Sequence, residues 1–539
     1  MNAQRHPWDY LIVTASNDSQ ALAYQSQLEL RQKCGLLGEV RQAIVVVDPQ
    51  GKRIGSGGST IYCLMEVLRR ELKKQSTPAI DWTLFENILR GLRILIIHAG
   101  GDSKRLPAYG PCGKLFIPVP GESRMNVCMT IFDHLWRTFS PFPATAEGCG
   151  QVVVAAGDAL IRFDASKVKL ASQGIMALGC YATAEEASKH GVFCASGSGP
   201  VRLFLQKPSP AQQAQSGALN SQGQSILDMA VMSLDAAAAA MLLKAFEIAF
   251  DDQCNLNWSP IMHETIITRG LDLYREISCA LGSQATAEHL VRSAKASGST
   301  WDEATLQGVF EKLNSIPFFV EVLSQCSFLH FGTTCQLVES GLELTRQLTG
   351  ACFPEKPISM NNVIFPGGEL SGPRSWVEGC RLSAAVNLKG NNVVIGVDVD
   401  EPFALPDGAC LDVLSGHNRN GESVWFVRCY HVKDTFKDSI EKGATFCGRS
   451  LLHWLSTVGA TADNIWNPTL PEKTRSLWDA RVFPALKNHS DYRNWLWMYE
   501  PDKATEAQKI AFIKADRYSA AEAALLADQD AFFSRRGQL

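Results

Sequence analysis

Four short, unbroken apolar runs near the start of the chain constrain its fold more than any other feature. Each is followed by small or polar residues, and they read DYLIVTAS from Asp9, AIVVVDP from Ala43, RILIIHAGG from Arg93 and QVVVAAGD from Gln151. Such runs, which lack alternation, are typical of strands that are buried on both faces of a sheet. Helical patterns lie between the runs, at 21–34, 61–74 and 126–139.

The alternation of strands and helices predicts an α/β fold, in which a Rossmann-like parallel or mixed sheet carries helices on both faces. In such sheets the ligand binds beyond the carboxyl ends of the strands, so a site is expected in the polar residues after each run. Residues 232–330 are predicted to be mainly helical, partly because of the alanine run at 236–240. Residues 206–225, which are rich in Gln, Ser, Ala and Pro, are predicted to be an exposed connection.

The sequence changes in character after about residue 357. Trp376, Leu382, Leu388 and Val394 lie six apart, with small residues, Asn and Gly between them. A six-residue apolar period with turn residues predicts the coils of a parallel β-helix, and an ordinary stack of hairpins is the alternative. From Leu451 onward the pattern is helical again, with tryptophans that we expect in the core at 454, 466, 478, 495 and 497.

A chain of 539 residues is too long for one compact core. The changes in pattern predict an α/β domain over 1–350, a β-helix-like domain over 351–450 and a mainly helical segment over 451–539. The net charge of −4, with the two signs well mixed, argues against a generic nucleic-acid surface. No stretch approaches the ~20 apolar residues that a transmembrane helix needs, and the run at 10–15 is too short for a signal peptide.

The sixteen cysteines are scattered singly along the chain, and no C-x-x-C pair occurs. A structural zinc site is therefore not expected. Disulfides are not expected in a large chain without a secretion signal, so we predict reduced thiols and a cytoplasmic location.

The segment HAGGDSKRLPAYGPCGK, at 98–114, carries the strongest signal for a binding site. Gly100 and Gly101 allow a sharp turn in which the backbone can approach an anion closely. Arg105 and Lys114 add positive charge, which a triphosphate needs because its leaving pyrophosphate accumulates negative charge. The alternative is a plain strand–turn–helix connection with basic surface residues.

A second glycine-rich stretch, GSGGST at 55–60, precedes a predicted helix at Ile61. Its glycines and hydroxyls suit a phosphate or a purine edge, although the G-K-[ST] ending of a P-loop is missing. Taken alone, the stretch is better explained as a tight turn before the helix. We predict nucleotide contacts from both glycine-rich stretches, which include Gly55, Ser56, Gly57, Gly58, Ser59, Thr60, Gly100, Gly101 and Ser103.

The pattern at 98–114 resembles the A-G-G-x-G-x-R-L…K signature of sugar nucleotidyltransferases, and its details resemble the family of fucose-1-phosphate guanylyltransferases. Other segments fit this family in order, and they are WDYLIVTASNDSQALAYQSQL from Trp8, VDPQGKRIGSGGST from Val47, AGD from Ala156, HGVF from His190, LQKPS from Leu205, LDMAV from Leu227, HFGTT from His330 and SLWDARVFP from Ser476. One departure is GSGGST, where some members have a third consecutive glycine. The resemblance spans nearly the whole chain. It implies that the protein transfers GMP from GTP to L-fucose-1-phosphate. In this reaction the sugar phosphate attacks the α-phosphorus of GTP in line.

The resemblance also implies roles for residues that follow other strands. Asp158 would hold Mg²⁺ or Mn²⁺, and a helix N-cap is the alternative. Asp228 would be a second metal ligand or a sugar contact, or else a cap. Lys207 would contact the sugar phosphate, whereas the alternative is a solvated lysine before a proline. His190 and Gly191 would contact the sugar, although a lone histidine is more often structural.

Several alternatives stay open at this point. The same chemistry could act on another sugar-1-phosphate or nucleotide, since a few hydrogen bonds decide specificity. A non-catalytic sugar-nucleotide sensor could share the fold. No segment resembles the P-x-x-x-G-L-G-S-S-A loop of the kinases fused to this family, so kinase activity is not expected, although the chain could be a piece of a longer bifunctional protein. We expect no nucleic-acid or membrane partner, and a homo-oligomer stays open.

Overall fold

The computed structural model describes residues 8–38, 40–74, 81–101, 104–123, 127–146, 148–171, 173–250, 255–351 and 353–537. By contacts within the chain it divides into two compact units. The first unit comprises Met1–Gly100 and His134–Phe328, and the second comprises Gly101–Asp133 and Leu329–Leu539. These bounds differ from those of the predicted segments 1–350, 351–450 and 451–539, which stay a prediction about domains.

The strands from the N-terminus to His330 are β1 (Trp8–Ala15), β2 (Val40–Val47), β3 (Arg93–His98), β4 (Gln151–Ala156), β5 (Ala159–Phe163), β6 (Ile175–Thr183), β7 (Gly191–Cys194), β8 (Gly199–Pro200), β9 (Leu203–Gln206), β10 (Gln224–Leu234), β11 (Ile248–Phe250), β12 (Leu256–Trp258), β13 (Phe318–Val322) and β14 (Cys326–His330). The α-helices over the same range are α1 (Asp18–Lys33), α2 (Gly55–Leu72), α3 (Trp82–Arg90), α4 (Ile131–Phe139), α5 (Ala184–Ala187), α6 (Pro210–Gln215), α7 (Ala236–Ala245), α8 (Pro260–Arg269), α9 (Ala287–Ala296) and α10 (Glu303–Leu313). A π-helical turn lies at Leu273–Ile277.

A mixed sheet, which has ten strands over the described residues, forms the centre of the first unit. Its main path runs β2-β1-β3-β4-β10-β6-β13-β8, while β7 pairs with β10 and β9 pairs with β7. The four predicted strands are β1, β2, β3 and β4, and they are parallel neighbours. The predicted α/β class, with a sheet rich in parallel strands, is confirmed.

Both faces of this sheet are buried. Tyr10 and Ile12 of β1 pack in one cluster with residues of α2, α3 and α7. Leu11 and Val13 point to the opposite face, because successive side chains of a strand alternate, and they are equally buried. A strand that is buried on both sides has no polar face, which explains why these strands are unbroken apolar runs.

The strands of the second unit after β14 are β15 (Ile358–Met360), β16 (Val363–Ile364), β17 (Glu369–Ser371), β18 (Trp376–Glu378), β19 (Arg381–Leu382), β20 (Ala385–Leu388), β21 (Val393–Ile395), β22 (Asp398–Val399), β23 (Phe403–Leu405), β24 (Ala409–His417), β25 (Ser423–His431), β26 (Thr445–Phe446), β27 (Arg449–Ser450), β28 (Phe483–Leu486) and β29 (Arg517–Tyr518). Its helices are α11 (Thr334–Thr349), α12 (Leu451–Thr457), α13 (Ala462–Ile465), α14 (Glu506–Lys514), α15 (Ala520–Leu525) and α16 (Gln529–Ser534). In the helical tail, the tryptophans at 454, 466, 478 and 495 are buried as predicted, whereas Trp497 is only half-buried.

Between β15 and β23, each strand pairs in parallel with the third strand after it. The resulting parallel rows are β15-β18-β21, β16-β19-β22 and β17-β20-β23. The residues with the six-residue spacing, Trp376, Leu382, Leu388 and Val394, lie on four successive strands, and all are buried. The apolar period therefore places one buried residue on each of these strands.

No cysteine within the described ranges forms a disulfide, and more than half of these cysteines are buried. Among the helices of the described ranges, none combines the length and the apolar character needed to cross a membrane.

Candidate functional site

The first glycine-rich turn follows directly after β3. Ala99 is held on both sides, because its N–H donates to Thr14 Oγ1 at 3.0 Å and its carbonyl accepts from Tyr24 Oη at 3.1 Å. Gly101 has a φ of +135°, which is consistent with the predicted sharp turn. Ser103 lies outside the described residues. The strand end is thus anchored where a ligand is expected.

His98 is the last residue of β3, and its Nε2 lies 2.9 Å from Thr60 Oγ1 at the start of α2. Burial lowers the pKa of His98 to about 4. The imidazole is therefore neutral at physiological pH, and through this hydrogen bond it joins the end of β3 to the start of α2.

The burial of His98 predicts a pH dependence of stability. The unfolded chain binds a proton at His98 near pH 6.5, whereas the folded chain does so only near pH 4. Stability from this residue is present above pH 6.5 and is lost as pH falls toward 4. In His98→Gln, we expect the urea midpoint to fall less between pH 7 and pH 4.5 than in the unsubstituted protein. His453→Gln, at an exposed histidine, is the control; an equal decline in all three proteins would contradict the assignment.

The stretch 55–60 is the first turn of α2, so the expectation that this helix begins at Ile61 is wrong. The N–H groups of Gly57 and Gly58 both donate to the carbonyl of Leu271, at 2.9 and 3.1 Å. Gly55 has a φ of +78°, and a Cβ there would lie 2.3 Å from the same carbonyl oxygen. Close packing against the backbone of Leu271 is therefore one physical reason for the glycines.

The hydroxyls of this stretch also have partners within the protein. Ser56 Oγ accepts from Leu273 N at 2.9 Å, and Ser59 Oγ donates to Asp48 at 2.6 Å. Thr60 Oγ1 donates to the carbonyl of Ser56 at 2.9 Å. Nucleotide contacts from 55–60 stay a prediction, and any such contact would have to be made beside these internal bonds.

Two of the predicted acidic residues act on the partly buried phenol of Tyr274. Burial raises the pKa of Tyr274 well above its usual value, and the carboxylates of Asp228, Asp272 and Asp158 raise it further. Asp158 is exposed in the turn between β4 and β5, where no helix follows, so the alternative of a helix N-cap is wrong. Asp228 lies inside β10, which also excludes a cap.

Asp228 is almost fully buried at an irregularity of its strand. The pairing of β10 with β6 shifts register between Asp228 and Met232, and Ala230 has a φ of +55°. Burial raises the pKa of Asp228 to about 7, while a hydrogen bond from Ala230 N, at 2.8 Å, offsets part of this effect. A nearby cation would favour the ionised form of such a carboxylate.

Asp158 and Asp228 fit part of a magnesium site. Carboxylate oxygens are the ligands that Mg²⁺ prefers, and it commonly takes only one or two of them together with water and substrate phosphates. Within the described ranges no group of three or more His, Cys, Asp or Glu side chains could form an all-protein metal site. The donor set thus suits an ion that arrives with a phosphorylated ligand, and metal binding stays a prediction.

The structure brings His190, Gly191, Lys207 and Asp228 together. Lys207 N donates to the carbonyl of His190 at 3.0 Å, where β7 and β9 pair. A Cβ at Gly191 would lie 3.1 Å from the Cβ of Asp228 and 2.3 Å from Phe204 Cζ. Gly191 is therefore required by packing, whatever it contacts in a ligand.

A cavity of about 820 Å³ opens beside Lys207. Its lining adds Asp272, Arg275 and Arg292 to the site, none of which follows a glycine-rich turn or lies in a segment that carries the resemblance. Arg275 donates to the buried Glu276 at 2.6 Å, which compensates part of its charge. Asp272 accepts from Tyr274 N and Arg275 N, both at 2.9 Å. Lysine and arginine side chains around one cavity suit a phosphate group.

Arg105 and Lys114 belong to the second unit, as does Gly101, whereas the other site residues described above belong to the first. The carbonyl of Arg105 accepts from Thr334 N, at the start of α11, at 3.2 Å. A Cβ built on Gly332 would lie 3.8 Å from Lys114 Nζ. The structure thus joins these two cations to the segment HFGTT, at 330–334, which sequence analysis had noted without assigning it a role.

Comparisons of the sequence with a family model and with curated proteins indicate one family. The family model described as "Fucose pyrophosphorylase domain" matches residues 86–488. A bifunctional fucokinase/GDP-fucose pyrophosphorylase from Arabidopsis thaliana is 25% identical over 568 residues, which cover 94% of this chain and 50% of that protein. A fucose-1-phosphate guanylyltransferase from Homo sapiens is 26% identical over 550 residues, which cover 90% of this chain and 82% of that protein.

The chain spans half the length of the Arabidopsis relative. A solved structure described as mannose-1-phosphate geranyltransferase from Thermus thermophilus is 13% identical and covers 62% of this chain and 94% of that chain. Its TM-score of 0.28 is too low to support an argument about the fold.

Proposed function

We propose that this chain, which belongs to the fucose pyrophosphorylase family, transfers GMP from GTP to L-fucose-1-phosphate and so makes GDP-L-fucose and pyrophosphate. The observation that carries the proposal is the match of the family model over residues 86–488, which includes the clustered residues of both units except the stretch at 55–60. The names of the two relatives contain the same activity.

The reaction needs no covalent nucleophile on the protein. A phosphate oxygen of the sugar-1-phosphate, which is already anionic, forms a bond to the α-phosphorus of GTP, and the bond to the bridging oxygen of pyrophosphate breaks. The chain contributes positioning and charge neutralisation. We assign Arg105 and Lys114 to the triphosphate, Lys207 to the sugar phosphate, and His190 to a sugar hydroxyl.

Asp158 and Asp228 are proposed to hold Mg²⁺ or Mn²⁺. When bound, such an ion neutralises charge on the phosphate oxygens. The support for this assignment is that both carboxylates lie within electrostatic range of Tyr274, and that burial disfavours ionisation of Asp228 unless a cation compensates.

We further infer that residues 358–405 form a short parallel β-helix. The support is that three successive strands return to the same three parallel rows, as in Ile358 pairing with Trp376 and Trp376 with Val393. In this interpretation, the mixed sheet of the first unit belongs to the nucleotidyltransferase domain. We also propose a cytoplasmic location and leave assembly into a homo-oligomer open.

The proposed function is tested by pyrophosphate release with a matrix of four nucleoside triphosphates and several sugar-1-phosphates, with and without Mg²⁺. Release that requires GTP, L-fucose-1-phosphate and the metal is the expected result. Release with another pair would keep the mechanism and change the substrate. A folded protein that binds a nucleotide but releases no pyrophosphate with any pair would contradict the enzymatic proposal and support a sensor.

A further inference from the structure

The segment 104–123, here called the cationic segment, carries both Arg105 and Lys114. Within it, the regular structure is a 3₁₀ turn at Pro107–Tyr109. A segment of this kind has no continuous hydrogen-bond ladder to fix its course. The position of its two cations is therefore decided mainly by the contacts that individual residues make with the rest of the second unit.

Tyr109 lies between the two cations in the chain and is fully buried. Its hydroxyl accepts from Trp376 Nε1 at 2.9 Å and donates to Glu378 Oε2 at 3.4 Å. Trp376 and Glu378 are two residues apart on β18, so their side chains emerge on the same face of the strand. One hydroxyl group thus connects the cationic segment to two side chains of this strand.

Glu378 is a buried carboxylate with a full set of partners. Its Oε2 accepts from Arg536 Nε at 3.0 Å and lies 2.9 Å from a second guanidinium nitrogen of the same residue. Its Oε1 accepts from Asn361 Nδ2 at 2.9 Å. A buried charge is tolerated when it is paired and hydrogen-bonded in this way, and the multiple contacts hold the carboxylate in one orientation.

Arg536 is also held by contacts with Phe532, four residues earlier in the chain. Its Nη1 donates to the carbonyl of Phe532 at 2.7 Å, and its guanidinium carbon lies 3.6 Å from the centre of the Phe532 ring. Burial disfavours the charge on Arg536, but Glu378 more than compensates and raises the pKa of Arg536 above its usual value. Arg536 is therefore charged, and its hydrogen bonds to Glu378 and Phe532 hold the guanidinium in one orientation.

A second connection holds the cationic segment at Arg105. The carbonyl of Arg105 accepts from the first residue of α11, and α11 packs tightly on Trp376, since a Cβ at Gly341 would lie 2.7 Å from Trp376 Cζ3. Arg105 therefore contacts α11 and Tyr109 contacts β18, and these two elements pack against each other. A shift of the segment at Arg105 would strain the contacts of Tyr109, and the reverse also holds.

We propose that Tyr109, Glu378 and Arg536 are positioning residues, which hold the cationic segment so that Arg105 and Lys114 meet the triphosphate. The inference rests on the proposed function, because it assigns the network to the same reaction. It gives a role in the reaction to Arg536, which lies far from every glycine-rich turn in the sequence.

The test is Tyr109→Phe, which removes one hydroxyl and keeps the ring. We expect kcat for pyrophosphate release to fall by roughly 10- to 100-fold, because small misplacements of charged groups have effects of this size. Tyr499→Phe is the matched control, since Tyr499 Oη also donates to a buried partner in the second unit, the carbonyl of Cys410 at 2.5 Å, and does not belong to the network. An equal loss of kcat in the control would assign the effect to general destabilisation and overturn the proposal.

A double-mutant cycle separates positioning from a merely structural role. If Tyr109 acts through the two cations, Tyr109→Phe should have a smaller effect on kcat in a Lys114→Ala or an Arg105→Ala background than in the unsubstituted protein, because the changes affect one interaction. An undiminished fold-loss in both backgrounds would show that Tyr109 acts independently of the two cations, and this would overturn the proposal. Arg536→Lys, which keeps the charge and loses the two-nitrogen contact, should give an intermediate loss.

Hydrogen exchange distinguishes failure of this inference from failure of the proposed function. In Tyr109→Phe, amides in 104–123 should exchange faster than in the unsubstituted protein, while those in 393–417 keep their protection. If no substrate pair turns over but this local change is seen, the network is upheld and the proposed function is at fault. Unchanged exchange in 104–123 would overturn the network even in an active enzyme.

Discussion

Replacement of Lys114 by alanine should lower kcat for pyrophosphate release by roughly 100- to 1,000-fold, the loss expected when one preorganised charge is removed from a developing anion. Lys114 is half-buried, and its Nζ lies 3.8 Å from a Cβ built on Gly332, just before α11. A surface or half-exposed substitution of this kind should change the free energy of unfolding by less than about 1 kcal/mol. The expected result is therefore a folded protein with very slow turnover.

The control for Lys114→Ala is Lys389→Ala, the same change at an exposed lysine of the second unit. Lys114→Arg should restore part of the rate, because it keeps the charge with a different geometry. Steady-state kinetics with saturating GTP and a urea titration of each variant are sufficient measurements. Full turnover in Lys114→Ala would remove Lys114 from the proposed mechanism.

Gly55→Ala should be one of the most damaging single-methyl substitutions in the first unit. The new Cβ would lie 2.3 Å from the carbonyl oxygen of Leu271, at a φ of +78° that L-residues rarely adopt. A backbone atom cannot rotate away, so we expect a loss of about 3 kcal/mol or more in the free energy of unfolding. The hydrogen bonds from Gly57 and Gly58 to the same carbonyl would be displaced as well.

Gly35→Ala separates the two contributions to this loss. Gly35 has a φ of +68°, but nothing lies within 4 Å of a Cβ built there. Its substitution should cost about 1 kcal/mol, the strain of the backbone conformation alone. The free energy of unfolding of each variant is measured with denaturant. The difference between the two losses is the cost of the steric clash with Leu271. Equal losses at Gly35 and Gly55 would show that the close approach of Leu271 adds nothing to the cost of the Gly55 substitution.

The sequence was sufficient where the determining pattern is local. Unbroken apolar runs identified β1 to β4, because a strand buried on both faces has no polar positions. The spacing of Trp376, Leu382, Leu388 and Val394 placed one buried residue on each of four strands. The family resemblance stated from the motifs is confirmed by the family model at 86–488.

The sequence was less informative where a residue's role depends on distant neighbours. The glycines of 55–60 suggested an anion-binding loop, and the structure shows them inside a helix start packed on Leu271, more than 200 residues later. Arg275 and Arg292 were missed for the same reason. Their proximity to Lys207 depends on how the π-helical turn and α9 fold back beside β9, and no local motif marks that path.

By itself, the sequence determined the α/β class, the four parallel strands, the apolar period after residue 357 and the family, because periodicity and motifs are properties of neighbouring residues. Only the tertiary structure decided that the charges of Asp158, Asp228 and Asp272 all raise the pKa of Tyr274. It alone placed a buried hydroxyl of the cationic segment on Glu378. Burial and long-range pairing set these environments, since a side chain's pKa, its partners and its mobility depend on groups that are close in space and far apart in the chain.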